Sequence, residues 1–474
     1  MTPPRVAREG ERRVPYTNGV ITRGVNTADT IAAIASAAGR GAVGMLRVSG
    51  PEAARIACAV LGALPKPRRA HFARFRDAEG ASIDEGIALY FPGPASFTGE
   101  DVLELQSHGG VLVMDLLLRR LLELGARMAR AGEFSERAFL NGKMDIAQAE
   151  AVADLIEAGT EAAARAAVRS MQGEFSSRIT ALGALITDLR VHVEAAIDFP
   201  DEEIDFLAAP AITSRLEGVL AAFDSIQAAA RQGALLREGL SVVIAGKPNA
   251  GKSSLLNALT GEDVAIVTPA PGTTRDVLRQ HLHLDGLPLN LVDTAGLRSA
   301  ADAAEEEGIR RARGEMRRAD RICYVVDASL HDEGSGDELL PHELPSGVPV
   351  TVIHNKIDLT GAPARADEEA SPPHIYLSAR TGAGIDLLRA HLKTRAGHGG
   401  ADAGVFSARR RHLDALERAR ALVDSAARAS GESRGFELFA EDLRLAQAAL
   451  GEITGEVTSE DLLGAIFASF CIGK

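Results

Sequence analysis

The chain has 474 residues, of which 46% are apolar, and carries a formal net charge of −13 at pH 7. This length predicts about two to four domains, and the negative charge argues against broad electrostatic binding to nucleic acid, although a local basic face stays compatible with it. The three cysteines lie far apart without CxxC spacing, which favours a reducing compartment over a disulfide framework or a zinc site, and no apolar run is long enough to span a membrane.

The first 143 residues divide into an extension and a small domain. Residues 1–26 are rich in arginine and lack the apolar stretch of a secretory signal, so we interpret them as a disordered extension, which an upstream start codon could add; a transit peptide is the less favoured alternative. Residues 27–143 mix strand-like runs at 43–48 and 87–91 with a helical pattern near 111–124, and Gly-Pro turns separate them. This pattern predicts an α+β domain.

The rest of the chain alternates between helical and mixed regions. Residues 144–239 are rich in alanine, with apolar residues three and four positions apart over 145–158, 161–189 and 211–230, and with an interruption at 198–203. Residues 240–396 alternate strand and helix patterns as a doubly wound sheet does, and residues 397–474 are helical again. The mixed region is therefore predicted to be inserted into a helical domain, which requires the two connections to lie close in space.

Residues 246–253 fit the phosphate-binding pattern G-x-x-x-x-G-K-[ST], between a buried strand at 241–245 and a helix at 253–259. Small residues allow backbone N–H groups to point at phosphate oxygens, and the helix N-terminus adds positive potential. Lys252 can reach the β- and γ-phosphates, and the Ser253 hydroxyl can bind Mg²⁺. The alternative is a glycine-rich turn between strand and helix that matches the pattern by chance, which is improbable in a chain of this length and more so in the strand–loop–helix context.

Two switch-like segments follow the phosphate loop in the order that a GTPase needs. Residues 268–275 form a flexible loop in which Thr274 can complete the Mg²⁺ shell when a γ-phosphate is present. Residues 289–296 form a strand that ends in D-x-x-G, so that Asp293 can hold the Mg²⁺ water shell and the Gly296 N–H can sense the γ-phosphate.

Two further segments predict recognition of guanine. Residues 350–358 end in N-K-x-D, and the Asp358 carboxylate can accept from the guanine N1–H and amine, which adenine cannot offer; residues 376–380 end in a Ser-Ala-Arg loop that packs on the base. Five motifs in this order predict GTP binding. The predicted GTP-binding residues are Asn249, Ala250, Gly251, Lys252, Ser253, Ser254, Thr268, Pro269, Ala270, Pro271, Gly272, Thr273, Thr274, Asp293, Thr294, Ala295, Gly296, Asn355, Lys356, Asp358, Ser378, Ala379 and Arg380.

The residues that would support hydrolysis differ from those of Ras-type GTPases. Those enzymes place a glutamine directly after D-x-x-G to orient the attacking water, whereas this chain has Leu297. The Asn249 amide oxygen, with carbonyls of residues 268–274, could hold a K⁺ ion against the phosphates and stabilise the developing charge. The alternative for Asn249 is a residue that shapes the loop. Glu305, Glu306 or Glu307 could position the water, although a solvated helix start is also compatible with them.

The motifs and their flanks resemble the MnmE (TrmE) family of tRNA-modification GTPases over about residues 27–474. Segments that a generic GTPase lacks carry the resemblance, namely 39–50, 97–110, 132–143, 198–203 and the terminal Cys-Ile-Gly-Lys at 471–474. The resemblance implies an N-terminal folate-binding and dimerisation α+β domain (27–143), a central all-helical domain in two parts (144–239 and 397–474), and an inserted Ras-like P-loop GTPase domain (240–396).

The resemblance also assigns residues to a folate site. By position, that site maps to Arg47, Glu104, Lys143 and the terminal Lys474; the cations suit glutamyl carboxylates and the carboxylate suits the pterin donors. Without the resemblance each of these residues would be an ordinary surface charge. Cys471 would lie near the folate and the modified uridine, where a nucleophilic role requires a lowered pKa; core packing is the alternative for this residue.

Ion and catalytic positions follow from the same resemblance. A K⁺ site is implied at Asn249, Thr268, Ala270 and Thr273, the last three partly through backbone, and a Mg²⁺ site at Ser253 and Thr274. The catalytic glutamate of the family aligns with Glu305, although the run of three glutamates allows a slip of one residue.

The function implied is that of a cytoplasmic homodimeric GTPase. With an FAD-dependent partner, MnmG, in a heterotetramer, it would add a carboxymethylaminomethyl-type group to C5 of the wobble uridine (position 34) of certain tRNAs. The one-carbon unit would come from a 5-formyl or 5,10-methylene tetrahydrofolate derivative, and GTP hydrolysis would drive K⁺-dependent pairing of nucleotide domains. The acidic charge suggests that the partner supplies much of the grip on tRNA. The alternative is a regulatory GTPase switch whose first domain is an interaction platform.

Overall fold

The computed structural model describes residues 29–198, 209–260, 279–284, 287–293, 313–330, 344–395, 405–429, 435–457 and 459–473. The predicted extension, residues 1–26, lies outside them. The chain divides into two compact units, one with residues up to 149 and from 454 onward, and the other with residues 150–453. The boundaries of the five predicted segments stay predictions.

A six-stranded sheet forms the first unit, in the order β3-β4-β5-β2-β1-β6. Its strands are β1 (Ile31–Ile34), β2 (Val43–Ser49), β3 (His71–Arg76), β4 (Ser82–Phe91), β5 (Val102–His108) and β6 (Arg127–Met128). All neighbours are antiparallel except β1 and β6. The strand-like runs predicted at 43–48 and 87–91 are confirmed as parts of β2 and β4.

Helices account for most of the remaining described residues. They are α1 (Ala53–Leu61), α2 (Val111–Glu123), α3 (Glu133–Leu140), α4 (Ile146–Glu157), α5 (Glu161–Met171), α6 (Glu174–Asp198), α7 (Ala209–Glu238), α8 (Lys252–Thr260), α9 (Ile357–Thr360), α10 (Ile385–Arg395), α11 (Arg410–Ala429), α12 (Gly435–Thr454) and α13 (Glu460–Ala468). The helical pattern over 161–189 is divided between α5 and α6, because Gly173 takes a left-handed φ of 88° that ends one helix before the next begins.

One face of the first sheet forms the core of its unit. Alternate residues of β2 and β5 are buried, and α1 and α2 cover them with residues such as Ile56 and Leu117. Since side chains alternate between the two faces of a strand, the residues between the buried ones point to the other face. Arg47 and Glu104 lie there as direct partners in the register of β2 and β5.

The nucleotide-domain sheet has seven strands in the order β12-β13-β11-β10-β7-β9-β8. They are β7 (Leu240–Gly246), β8 (Arg279–Leu284), β9 (Leu287–Asp293), β10 (Arg321–Asp327), β11 (Val350–Asn355), β12 (Arg365–Asp367) and β13 (His374–Tyr376). The inner neighbours are parallel, whereas β12 and β8 are antiparallel edge strands. Val242 and Ile244 pack with α8 and α10, while Ala245 belongs to a cluster with Ile322 and Tyr324. The predicted doubly wound arrangement is therefore confirmed.

Helix α7 packs tightly against the returning chain at residues 405–408. A Cβ atom added to Gly233 would overlap the carbonyl oxygen of Phe406, so this close approach of two backbones requires glycine. The ring of Phe406 is in turn stacked on Phe175 of α6, with 4.5 Å between ring centroids. Residues on both sides of the inserted region are thereby packed together, as domain insertion requires.

We expect Gly233→Ala to destabilise this unit by about 1–3 kcal/mol, because the added methyl group overpacks a backbone contact. Gly218→Ala is the matched control: it lies in the same helix, nothing stands within 4 Å of the added Cβ, and helix propensity predicts a gain of about 0.5–1 kcal/mol. The midpoint of urea unfolding, followed by far-UV circular dichroism, measures both. Equal shifts of the two variants would contradict the packing argument.

Candidate functional site

The phosphate loop connects buried strand β7 to helix α8 in the middle of the parallel sheet. Gly246 has a φ of 147° and Gly251 a φ of 94°, and a Cβ on Gly246 would overlap the carbonyl oxygen of Val325 in β10. Only glycine tolerates both conditions. Because ligands of open α/β sheets bind beyond the carboxyl ends of the parallel strands, the loop lies at the edge where a nucleotide is expected.

The structure describes three polar side chains of the phosphate loop and of the first turn of α8. The Lys252 Nζ donates to the carbonyl oxygens of Gly246 and Lys247 at 3.1 and 2.9 Å, so its ammonium group lies over the loop. Ser253 is exposed in the first turn of α8, where its hydroxyl can meet a cation. Asn249 is exposed and has a left-handed φ of 64°, which fits both alternatives for this residue, shaping the loop and offering an amide oxygen to an ion.

Buried Asn355, at the end of β11, connects three loops. Its Nδ2 donates to the carbonyl oxygen of Ala250 at 2.9 Å, and its Oδ1 accepts from the backbone N–H groups of Lys356 at 2.8 Å and Ala379 at 2.9 Å. A Cβ on Gly251 would overlap the same Nδ2. The structure therefore brings the phosphate loop, the N-K-x-D segment and the Ser-Ala-Arg segment together.

Asp358 lies at the start of α9 with both carboxylate oxygens in hydrogen bonds. Ser378 Oγ donates to Oδ1 at 2.6 Å, and Arg380 Nη2 lies 2.8 Å from Oδ2. The Ser378 hydroxyl, followed by the Arg380 guanidinium, holds the pKa of Asp358 below its ordinary value. The carboxylate is therefore ionised at neutral pH, as an acceptor for guanine N–H donors must be.

Sequence reasoning missed Asp327, the last residue of β10. Its carboxylate accepts from the Lys356 Nζ at 2.5 Å and from the Ser329 hydroxyl at 2.7 Å. Partial burial opposes ionisation, but the contacts with Lys356 and Ser329 lower the pKa of Asp327 overall. The contact positions Lys356, whose φ of 68° is left-handed. A carboxylate at the end of an apolar run that is typical of a buried strand is the sequence signal that could have identified Asp327.

Several predicted residues lie outside the described part of the chain. They are the switch residues Thr268, Pro269, Ala270, Pro271, Gly272, Thr273 and Thr274, the D-x-x-G residues Thr294, Ala295 and Gly296, together with Leu297, Glu305, Glu306 and Glu307. Asp293 is described as the last residue of β9, in register with Ile244 of β7, so its backbone lies beside the strand that leads into the phosphate loop.

A second cluster lies on the face of the first sheet opposite helices α1 and α2. Arg47 Nη2 and Glu104 Oε1 are 2.8 Å apart, and the two side chains are only 17% and 15% exposed. The Arg47 guanidinium carbon lies 5.3 Å from the ring centroid of Phe97 and 5.8 Å from that of Phe134, within range of cation–π attraction. The Lys143 Nζ donates to the Pro94 carbonyl oxygen at 3.0 Å. A charged pair flanked by aromatic rings suits a ligand with both aromatic and polar groups.

The C-terminal segment packs on the same unit. Cys471 is exposed, and its carbonyl oxygen accepts from the Gly132 N–H at 3.3 Å, while Ile472 forms a β-bridge with Ala131. A Cβ on Gly473 would come within 2.6 Å of the Ile34 carbonyl oxygen, so the segment lies against β1, the neighbour of the strand that carries Arg47. The core-packing alternative for Cys471 is therefore wrong; Lys474 lies outside the described residues.

Membrane-spanning helices and metal-binding clusters are both missing from the described residues. Within the described ranges, no helix combines the length and the apolar character needed to cross a membrane. Within the same ranges, His, Cys, Asp and Glu side chains form no group of three or more that could hold a metal ion.

Comparisons with known proteins cover nearly the whole chain. Residues 30–143 match the family model of the GTP-binding protein TrmE N-terminus, and residues 146–471 match that of the MnmE helical domain. The chain is 58% identical over 452 residues to the tRNA modification GTPase MnmE of Marinobacter nauticus, covering 94% of this chain and 99% of the relative. It is 56% identical over 454 residues to the protein of that name from Proteus mirabilis, covering 95% of this chain and 100% of the relative.

Among solved structures, the G domain of the T. maritima FeoB iron transporter is similar at 27% identity, covering 33% of this chain and 98% of that chain with a TM-score of 0.25. The match to two domain models and the extent of the identity agree with the resemblance carried by the motifs. The chain belongs to the MnmE family of tRNA modification GTPases.

Proposed function

We propose that this GTPase is activated by K⁺ and, with the FAD-dependent partner MnmG, installs a carboxymethylaminomethyl-type group at C5 of the wobble uridine of tRNA from a folate one-carbon unit. The observation that carries the proposal is the presence of two polar clusters on different sheets, one around Asp358 and one formed by the Arg47–Glu104 pair. Separate sites allow hydrolysis to drive a conformational cycle while carbon transfer takes place elsewhere.

The nucleotide site supports GTP as the bound molecule. Lys252 would neutralise the β- and γ-phosphates, and the ionised Asp358 would accept from guanine. Ser253 and Thr274 would hold Mg²⁺, which supplies charge neutralisation between the phosphates when bound; the exposed hydroxyl of Ser253 at the start of α8 fits that role.

Hydrolysis without a glutamine needs another source of transition-state stabilisation. Asn249, with Thr268, Ala270 and Thr273, would hold K⁺, which places a positive charge at the phosphates when bound. The exposed, left-handed position of Asn249 in the phosphate loop fits this set of oxygen donors. Glu305 would position the attacking water, because Leu297 cannot.

The second site would bind the tetrahydrofolate derivative, in a 5-formyl or 5,10-methylene form. The paired Arg47 and Glu104, beside Phe97 and Phe134, offer a cation, an acceptor and two aromatic faces, while Lys143 and Lys474 would add cations for the glutamyl carboxylates. Cys471 would act next to this ligand and the uridine, and its exposure and its place on the same unit are compatible with that role.

The assembly implied by this function is a homodimer that pairs with MnmG as a heterotetramer in the cytoplasm. GTP hydrolysis would pair the two nucleotide domains and reorganise the complex around tRNA, much of whose binding would come from the partner because this chain is acidic. Nucleoside analysis of tRNA from a deletion strain, with and without this gene, tests the function. Unchanged wobble uridines in the deletion strain would favour a regulatory switch instead.

We expect GTP hydrolysis to be at least about tenfold faster in KCl than in NaCl, since the cation replaces an arginine finger at the transition state. Asn249→Ala should remove the difference between the two salts by slowing hydrolysis in KCl. Initial phosphate-release rates measure this, with Glu369→Ala, an exposed carboxylate of the same domain, as the control that keeps the K⁺ preference. Equal wild-type rates in the two salts would refute the role of Asn249.

Asp358→Asn should weaken GDP binding by roughly 10- to 150-fold, the loss of hydrogen bonds to a charged acceptor, and should improve the relative affinity for xanthosine diphosphate. The amide can donate to the 2-oxo group that xanthine has in place of the guanine amine. Fluorescent-nucleotide titration gives both affinities, with Asp367→Asn on edge strand β12 as a control of equal charge. An unchanged GDP affinity would show that Asp358 does not contact the guanine base.

Cys471→Ser should keep GTP hydrolysis and the binding of 5-formyltetrahydrofolate within about twofold of wild type while abolishing tRNA modification, because the thiolate is a far better nucleophile than a hydroxyl at neutral pH. Hydrolysis assays, equilibrium dialysis and nucleoside analysis measure the three properties. Retained modification by the variant would exclude a chemical role for the cysteine.

A further inference from the structure

The nucleotide domain is connected to the helices by two segments that meet at one side chain. The chain leaves α7 at Glu238 and reaches β7 at Leu240, and it returns through residues 405–409 before α11 begins. We use the name outgoing linker for the C-terminal end of α7 together with Gly239 (residues 233–239), and the name return linker for residues 405–409. Both lie next to Asp154 of helix α4.

Asp154 is buried, with a side chain only 4% exposed, and accepts hydrogen bonds from both linkers. Its Oδ1 accepts from Arg237 Nε of the outgoing linker at 2.7 Å and from Arg409 Nη2 of the return linker at 2.7 Å. Its Oδ2 accepts from the Ser407 hydroxyl at 2.6 Å. One carboxylate thus holds two guanidinium groups and a hydroxyl that come from opposite ends of the inserted domain.

Packing around this contact holds the return linker on helix α5 as well. Arg169 Nη1 donates to the Val405 carbonyl oxygen at 2.9 Å, and the Ser170 hydroxyl donates to the Ser407 carbonyl oxygen at 2.9 Å. Leu236 of the outgoing linker forms a buried cluster with Val405 and Ala166. The two linkers therefore act as one packed element with α4 and α5.

Strand β9 of the nucleotide sheet contacts this element at Gly239, where the Pro288 backbone lies close, and an open space lies beside that contact. A cavity of about 480 Å³ is lined by Asp154, Glu157 and Leu236 on the helical side and by Pro288 and Asn290 of β9 on the other. At its margin, Asn290 Nδ2 donates to the carbonyl oxygen of Glu238 at 2.6 Å. The open space leaves room for the sheet to change its angle, whereas the two linkers share the carboxylate of Asp154.

We propose that Asp154 is a positioning residue that clamps the two linkers into a single pivot, so that a movement of the nucleotide domain is transmitted to the helices instead of being lost in the connections. The proposal deepens the proposed function, in which hydrolysis drives a conformational cycle, but the clamp itself rests on the contacts of Asp154 alone. Without the carboxylate, Arg237 and Arg409 lose the anion that they share, and the apolar contacts that remain between the linkers permit them to slide.

The experiment uses the full chain with spin labels at exposed Leu359 of α9 and Ala421 of α11, placed on engineered cysteines after the exposed native ones are replaced. We expect Asp154→Asn to broaden the distance distribution by at least about twofold relative to wild type, because the orientation is no longer fixed. Asp224→Asn is the matched control: Asp224 also pairs with an arginine, Arg420, at 2.6 Å, but touches neither linker. Its distribution should equal that of wild type.

A second readout separates positioning from general stability. Asp154→Asn should keep the rate of GTP hydrolysis within about twofold while lowering the number of modified uridines per GTP hydrolysed by about fivefold or more. If circular dichroism shows that Asp154→Asn does not fold, the same measurements are made on Ser407→Ala and Arg237→Gln. Each of these variants removes one hydrogen bond to Asp154. A distance distribution like that of wild type, or an unchanged ratio of modification to hydrolysis, would overturn the clamp. The distance measurement needs neither folate nor the partner protein. If the wild-type protein modifies no tRNA, the proposed function is contradicted, but the distance distributions of wild type and Asp154→Asn still test the clamp.

Discussion

The nucleotide edge of the second sheet depends on the amide of Asn355. This side chain, 2% exposed, donates to the phosphate loop and accepts from both base-side loops, so that three segments separated by up to 129 positions share one anchor. The anchor also explains a glycine: any side chain on Gly251 would occupy the space of the Asn355 amide. The asparagine of the N-K-x-D motif therefore requires a glycine at position 251 of the phosphate loop.

The charged pair on the first sheet follows a different logic. Arg47 and Glu104 satisfy each other, and separating two partly buried charges is costly unless a ligand replaces both partners. A molecule with only a carboxylate would leave Glu104 without its cation, and one with only N–H donors would leave Arg47 without its anion. A folate has both kinds of group as well as an aromatic ring for Phe97 and Phe134, which is why the pair favours a ligand of that composition under the proposed function.

Local patterns in the sequence predicted much of the fold. The phosphate loop could be predicted because its glycines, its buried strand and its helix are all local signals, and β2, β4, α2 and the parallel sheet follow from periodicity in the same way. The family assignment from long motifs is confirmed by the comparisons. The division of 161–189 at Gly173 was missed because a single glycine within a helical pattern does not itself indicate a left-handed φ. Contacts such as Asp327 with Lys356 depend on which strands are neighbours, and sequence spacing alone does not show that.

The linkers illustrate most clearly what sequence reasoning leaves out. Asp154 and Ser407 are 253 positions apart, and each is unremarkable in its own segment: a carboxylate on an amphipathic helix and a serine before one. Apolar contacts such as Leu236 with Val405 would hold the linkers together, but they are not directional and would permit sliding.

Buried ion pairs with fixed geometry set the register of the returning chain. Glu150, one turn before Asp154 on α4, makes a second such pair by accepting from Arg411 at 2.8 and 2.7 Å. Burial opposes ionisation of Glu150, yet His412 and Arg411 hold its pKa far below the ordinary value, so it stays charged. Two successive carboxylates on one face of α4 thus fix the return of the chain, which is what an inserted domain needs if it is to move as one body.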